Sequence, residues 1–64
     1  MIVNGTEKSL QSRVILSDYL ISNKYNASAV VVEINGRIVP RDDYGKIILS
    51  DSDVIEILSF IGGG

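Results

Sequence analysis

The 64-residue chain has no cysteine and no histidine, and each absence closes a class of function. Without cysteine there is no disulfide framework, thiolate zinc site, persulfide or thiol nucleophile. Without histidine the usual general base and the commonest metal ligand are missing as well. Basic residues are few: Lys8, Arg13, Lys24, Arg37, Arg41 and Lys46 are dispersed, and the formal net charge is -2. Phosphate contacts supply most non-specific nucleic-acid affinity and need clustered Lys and Arg, so no nucleic-acid partner is expected. Apolar runs such as Ala29 to Val32 fall far short of the roughly 20 residues of a membrane span. No basic region followed by a long apolar stretch opens the chain, so a cytoplasmic location away from membranes is the default expectation.

What remains is the composition of a small folded domain. Apolar residues make up 45% and charged residues 22% of the chain, which is neither disordered nor membrane-like. A domain of this size buries only about 60% of the surface its unfolded form exposes, leaving little room for a deep active site. No phosphate loop and no pair of carboxylates framing a cleft is present, so the chain offers no catalytic residues of its own and no metal site. Asn4-Gly5-Thr6 and Asn26-Ala27-Ser28 fit the glycosylation sequon but read more simply as turns.

The pattern along the chain mixes two periods. Asn4-Gly5 lies between Met1 to Val3 and Thr6 to Leu10, and suits a two-residue type I′ turn because both central positions need positive φ. From Ser12 the period lengthens: Ile15, Leu16, Tyr19 and Leu20 share one helical face. The helix is expected to begin at Ser9 or Ser12 as N-cap and to fray by Asn23, with Ser17 and Asp18 toward solvent. Ala29 to Ile34 is a β-branched run, and Asn35-Gly36 turns it into Arg37-Ile38-Val39. Pro40 cannot donate to a ladder and closes that strand, Arg41 to Tyr44 form a turn or one helical turn, and Ile47 to Leu49 suggest a short strand. Asp51-Ser52-Asp53 reads as a turn, with too few oxygen ligands for calcium. Val54 to Ile61 is the last strand. One early helix among strands gives an α+β class, a mixed sheet of four to five strands with the helix across one face.

In the last strand, alternation puts Ile55 and Ile57 on one face and Val54, Glu56, Leu58 and Phe60 on the other. Glu56 marks its face as wet, so Ile55 and Ile57 are the core candidates. Leu58 and Phe60 are then left exposed beside the tail, as a docking surface for a partner, or else as residues covered by a loop or sitting singly on the surface. Beyond residues 1–61 as the domain, Gly62, Gly63 and Gly64 form a slim tail. Such a run is costly to order and should be mobile. It would extend roughly 10 Å without a Cβ to obstruct a narrow cleft. Arg37 and Arg41 are either contacts to an acidic partner or solvated strand ends. Tyr19, Tyr25 and Tyr44, with no basic residues interleaved, are placed at the edge of the core.

Three segments together resemble the ThiS family of sulfur carriers. They are Met1-Ile2-Val3-Asn4-Gly5, the stretch Val32-Glu33-Ile34-Asn35-Gly36-Arg37-Ile38-Val39-Pro40-Arg41, and the ending from Asp51-Ser52-Asp53 through Ser59-Phe60-Ile61-Gly62-Gly63-Gly64. Ser52 departs from the glycine common there, and the helix around Arg13-Val14 and Ser17-Asp18 is less regular than the family pattern. The resemblance implies a ubiquitin-like β-grasp fold and a carrier rather than an enzyme. It implies that the Gly64 carboxylate is adenylated and then converted to a thiocarboxylate, with Gly62 and Gly63 threading into the partner's active site. The implied partners are a ThiF-type adenylating enzyme using ATP and magnesium, a ThiG-type thiazole synthase building the thiazole of thiamin, and a sulfur donor such as a cysteine desulfurase. The chain itself would bind no cofactor and be a monomer when free. A carrier for molybdopterin or another sulfur-containing product, and a ubiquitin-like binding module with an idle tail, are the alternatives.

Overall fold

The computed structural model describes residues 1–10 and 12–59. Five strands form one sheet: β1 (Ile2–Val3), β2 (Thr6–Glu7), β3 (Val30–Ile34), β4 (Arg37–Ile38) and β5 (Val54–Ser59). Their order is β2-β1-β5-β3-β4, with β1 parallel to β5 and every other pair antiparallel, so the sheet is mixed. One helix, α1 (Leu16–Ser22), packs across one face, and Ala27–Ala29 and Arg41–Asp43 are single 3₁₀ turns. The α+β, ubiquitin-like arrangement expected from the sequence is the one observed.

The core lies between α1 and the sheet. Leu16 and Leu20 from α1 meet Val3, Val30, Val32, Ile55 and Ile57 from the strands, closed below by Tyr44 and Leu49. Ile55 and Ile57 are buried as alternation required, while Val54, Glu56 and Leu58 lie outward. Both Asn-Gly turns have the expected left-handed backbone: φ is +51° and +82° at Asn4 and Gly5, and +54° and +84° at Asn35 and Gly36.

The helix starts later than the sequence suggests. Ile15 is its N-cap, with an extended backbone and no side-chain cap, and Ser9 and Ser12 are not in the helix. The reason is tertiary. Leu10 donates its amide to the Asp51 carboxylate, Leu49 donates to the Val14 carbonyl and Leu16 donates to the Ile47 carbonyl. Those bonds draw the chain before Leu16 into strand-like pairing with the 47–49 segment, so it is unavailable for a helical turn. They also cap the helix, because the first free amides, those of Leu16 and Ser17, donate to Ile47 and Tyr44 carbonyls in place of a Ser side chain. Ser17 is consequently half-buried rather than turned to solvent, while Asp18 is exposed. The same pairing reduces the expected Ile47 to Leu49 strand to one isolated bridge, Ile15 to Ile48.

At its other end α1 closes where Asn23 was expected to fray it. Lys24 adopts φ of +65°, its amide donates to the Ile21 carbonyl, and the Tyr25 amide donates to Leu20. This paired closure satisfies carbonyls that the helix would otherwise leave open.

Candidate functional site

The site is built around β5, the strand that runs toward the glycines. Gly62, Gly63, Gly64 and Phe60, all expected to act in the tail or in docking, lie outside the described residues. Leu58 is described, and its side chain is 55% exposed on the face opposite the helix.

Sheet pairing fixes what else shares that face. Leu58 stands opposite Val31, Glu56 opposite Glu33, Glu33 opposite Ile38, Val54 opposite Ile2 and Ile2 opposite Glu7. Residues in register point to the same side, so these eight form the open face. Of its apolar members, Ile2, Ile38, Val54 and Leu58 are exposed and Val31 is half-buried. Sequence alternation placed Glu56 and Leu58 there; that Glu33 sits directly across from Glu56 required the register, which a single sequence does not reveal.

β5 is held at two points by the two Asn-Gly turns. At its start, Asn35 donates its side-chain amide to the Asp53 carboxylate (3.0 Å), accepts from the Val54 amide (2.9 Å), and donates its backbone amide to the Val54 carbonyl. Further along, Asn4 takes over where β1 ends. Its Oδ1 accepts from the Ile57 amide at 2.7 Å and its Nδ2 donates to the Ile57 carbonyl at 3.2 Å. The carboxamide thereby supplies the donor and acceptor that the next residue of a longer β1 would have supplied. These roles were missed from sequence, where both asparagines read only as turn formers.

The arginines divide. Arg41 is exposed but anchored to its own domain: its guanidinium donates to the Ala27 carbonyl (3.2 Å) and the Val30 carbonyl (3.1 Å), joining the second 3₁₀ turn to the start of β3. The Tyr44 hydroxyl donates to the same Val30 carbonyl, so Tyr44 is core rather than edge. Arg37 is exposed on β4. The Asp53 carboxylate accepts the Ser50 amide within its own turn, whereas the Asp51 carboxylate accepts the amide of Leu10, 41 positions away. Among the described residues no group of three or more His, Cys, Asp or Glu is placed to hold a metal, and no helix is long and apolar enough to cross a membrane. Beside Asn4 lies an open cavity of about 260 Å³, lined on its far side by Lys8, Tyr19, Asn23 and Tyr25.

Comparison with known proteins bears on the whole chain. The ThiS family model matches residues 1–64. A crystal structure of the thiamine biosynthesis protein ThiS from Geobacter metallireducens superposes with a TM-score of 0.81 at 30% identity, covering 98% of this chain and 96% of that one. The sulfur carrier protein ThiS of Bacillus subtilis is 42% identical over 50 residues, 78% of this chain and 70% of that protein. A thiazole synthase from Paramagnetospirillum magneticum is 33% identical over 64 residues, and this chain spans 20% of its length. Strand order, the paired Asn-Gly turns and full-length similarity thus agree, and the chain belongs to the ThiS family.

Proposed function

We propose that this protein is a sulfur carrier of thiamin biosynthesis, with Gly64 as the residue that is charged. The observation that carries the reading is the match of the ThiS family model to all of residues 1–64, glycines included. The chemistry follows from what the chain holds and lacks. A free α-carboxylate has a pKa of about 3.3 to 3.7 and is an anion at neutral pH, hence a poor electrophile. Transfer of an adenylyl group from ATP to that carboxylate, with release of pyrophosphate, converts it into a mixed anhydride. A sulfur nucleophile then attacks the carbonyl carbon and AMP departs. Sulfide gives the thiocarboxylate directly, whereas a persulfide gives an acyl disulfide, whose S–S bond a second thiol must cleave, that thiol ending in a disulfide with the donor cysteine as the thiocarboxylate is released.

The domain contributes no reacting side chain to these steps. It has no thiol to exchange with the stored sulfur and no imidazole to act as a base. ATP, magnesium and the catalytic groups are the adenylating partner's, the sulfur comes from a donor such as a cysteine desulfurase, and a thiazole synthase is the acceptor. Two supports favour that acceptor over a molybdopterin enzyme. The similar Bacillus subtilis protein is named a sulfur carrier ThiS, and a similar sequence forms one fifth of a protein named thiazole synthase. What the domain does supply is a mount: β5 is paired on both sides at Ile55, held between Ile2 and Asn35 at Val54, and clamped by Asn4 at Ile57.

Incubation with the cognate adenylating enzyme, ATP and a sulfur donor should raise the intact mass by the difference between sulfur and oxygen. Removal of Gly63 and Gly64 should abolish the gain while leaving the fold and melting temperature unchanged. A full-length chain that gains no mass under these conditions overturns the carrier reading, and a truncated chain that retains full function in vivo points to a binding module instead.

A further inference from the structure

The charges on the sheet are sorted by face. The strands carry four charged residues, Glu7, Glu33, Arg37 and Glu56. Register puts all three glutamates on the open face, and Arg37, opposite Ile34, on the other parity. Glu33 and Glu56 stand directly across from each other on neighbouring strands, a placement that destabilises a sheet when the charges are alike. Among the described residues neither is joined to a cation: the ion pairs are Met1 with Glu7 and Asp51, and Lys46 with Asp43. The glutamate pair is framed by exposed Ile38 on one side and by Leu58 and Val54 along β5 on the other, apolar groups that the helix does not cover.

We infer that this open face docks a partner surface in which an arginine or lysine is set among apolar side chains, the cation lying over Glu33 and Glu56 and the apolar groups against Leu58 and Ile38. Charge complementarity carries the inference. An in-register carboxylate pair raises the free energy of the unbound domain, and a cation placed between the two carboxylates removes the repulsion and gains attraction from both. Such groups act on association rate and on choice of partner as well as on affinity. An arginine is the better match, since its planar fork can donate to two carboxylates and its weaker hydration suits an apolar surround. The inference rests on the carrier reading and assigns this face to the thiazole synthase, the protein class in which a similar sequence is already joined to the synthase name.

Stability and binding should therefore respond with opposite signs. Glu33→Gln and Glu33→Lys each relieve the repulsion at Glu56, so the free domain should melt about 2–4 °C higher, a shift expected for a cross-strand pair of this size. Binding to the thiazole synthase of the same genome, measured by titration calorimetry with the uncharged carrier, should weaken about tenfold for Glu33→Gln and more for Glu33→Lys. The fall of affinity with added salt should flatten in both variants. Asp42→Lys changes net charge as much as Glu33→Lys but lies in a 3₁₀ turn outside the sheet, and should leave affinity within about twofold. Unchanged affinity in both Glu33 variants, or an equal loss in Asp42→Lys, overturns the docking assignment. So does a wild-type carrier that gains sulfur normally yet does not bind the synthase, an outcome that leaves the carrier reading standing.

Discussion

The two Asn-Gly turns are locally the same object put to different uses. At equivalent positions their φ angles nearly coincide, +51° and +54° at the asparagines and +82° and +84° at the glycines, and a Cβ built on either Gly5 or Gly36 would meet nothing within 4 Å. Yet Asn35 spends its carboxamide on the exposed entry to β5, at Asp53 and Val54, while Asn4 spends its own on Ile57, a buried residue 53 positions away. The first turn orders a strand where it begins; the other extends a strand past the end of its neighbour. Identical local codes thus leave the long-range role undetermined, and the role decides the energy.

The largest expected effect separates the two asparagines. Asn4→Ala puts an alanine into the left-handed region, removes two hydrogen bonds and leaves the Ile57 amide and carbonyl without those partners, for a combined cost of about 3 kcal/mol. Asn35→Ala bears the same backbone penalty, but its partners are exposed to water and recover their hydrogen bonds there, so about 2 kcal/mol is expected. Chemical denaturation measures both. Glycine variants sharpen the contrast, because Asn4→Gly and Asn35→Gly keep the turn angles and report the side chain alone. Equal losses in that pair would mean that the clamp on Ile57 adds nothing to ordinary turn geometry. Amide exchange at Ile57 should accelerate in Asn4→Gly and stay slow in Asn35→Gly.

That contrast also marks how far the sequence could be read. Both turns were legible because positive φ at two successive positions is a local demand that Asn and Gly meet locally. The alternation of β5 was legible for the same reason: Ile55 and Ile57 go inward and Leu58 outward without reference to any neighbour. The start of α1 was not, because Ser9 and Ser12 are sound N-caps in isolation and lose to hydrogen bonds with the 44–51 segment, whose partners lie as far as 41 positions away in the chain. The Arg41 bridge to Ala27 and Val30 and the Glu33–Glu56 pair belong to the same class, set by register and packing rather than by neighbours in sequence. The glycines were read from composition and family likeness, and Gly62 to Gly64 lie beyond the described residues.

A smaller effect should erase the difference between the turns. Gly5→Ala and Gly36→Ala each force a Cβ into the left-handed region at φ of +82° and +84°, with no neighbouring atom within 4 Å to clash. The cost is therefore conformational alone, about 1 kcal/mol in each case. Near-equal shifts in denaturation midpoint are expected. A much larger loss at Gly5 would show that the first turn is coupled to β5 through its backbone as well as through the Asn4 side chain.

The smallest effect is confined to the first turn, because the cavity beside Asn4 is walled by Tyr19 and Tyr25. Burial, and secondarily the neighbouring Tyr25 hydroxyl, raise the Tyr19 pKa above its ordinary value of 10.0. The folded domain then holds the Tyr19 proton more tightly than the unfolded chain does. Its contribution to stability is fully present below the unfolded value and is lost as pH rises through the higher folded one, so the domain should weaken above about pH 10. Tyrosinate absorbance should show Tyr19 ionising late, and Tyr19→Phe should remove that contribution. Tyr25→Phe deletes only the lesser cause, so most of the delay should survive it; if the delay vanishes instead, charge rather than burial governs the wall of this cavity. Asn35→Gly should leave the profile untouched, whereas Asn4→Gly, by widening the open cavity and admitting more water beside Tyr19, should bring the late ionisation earlier.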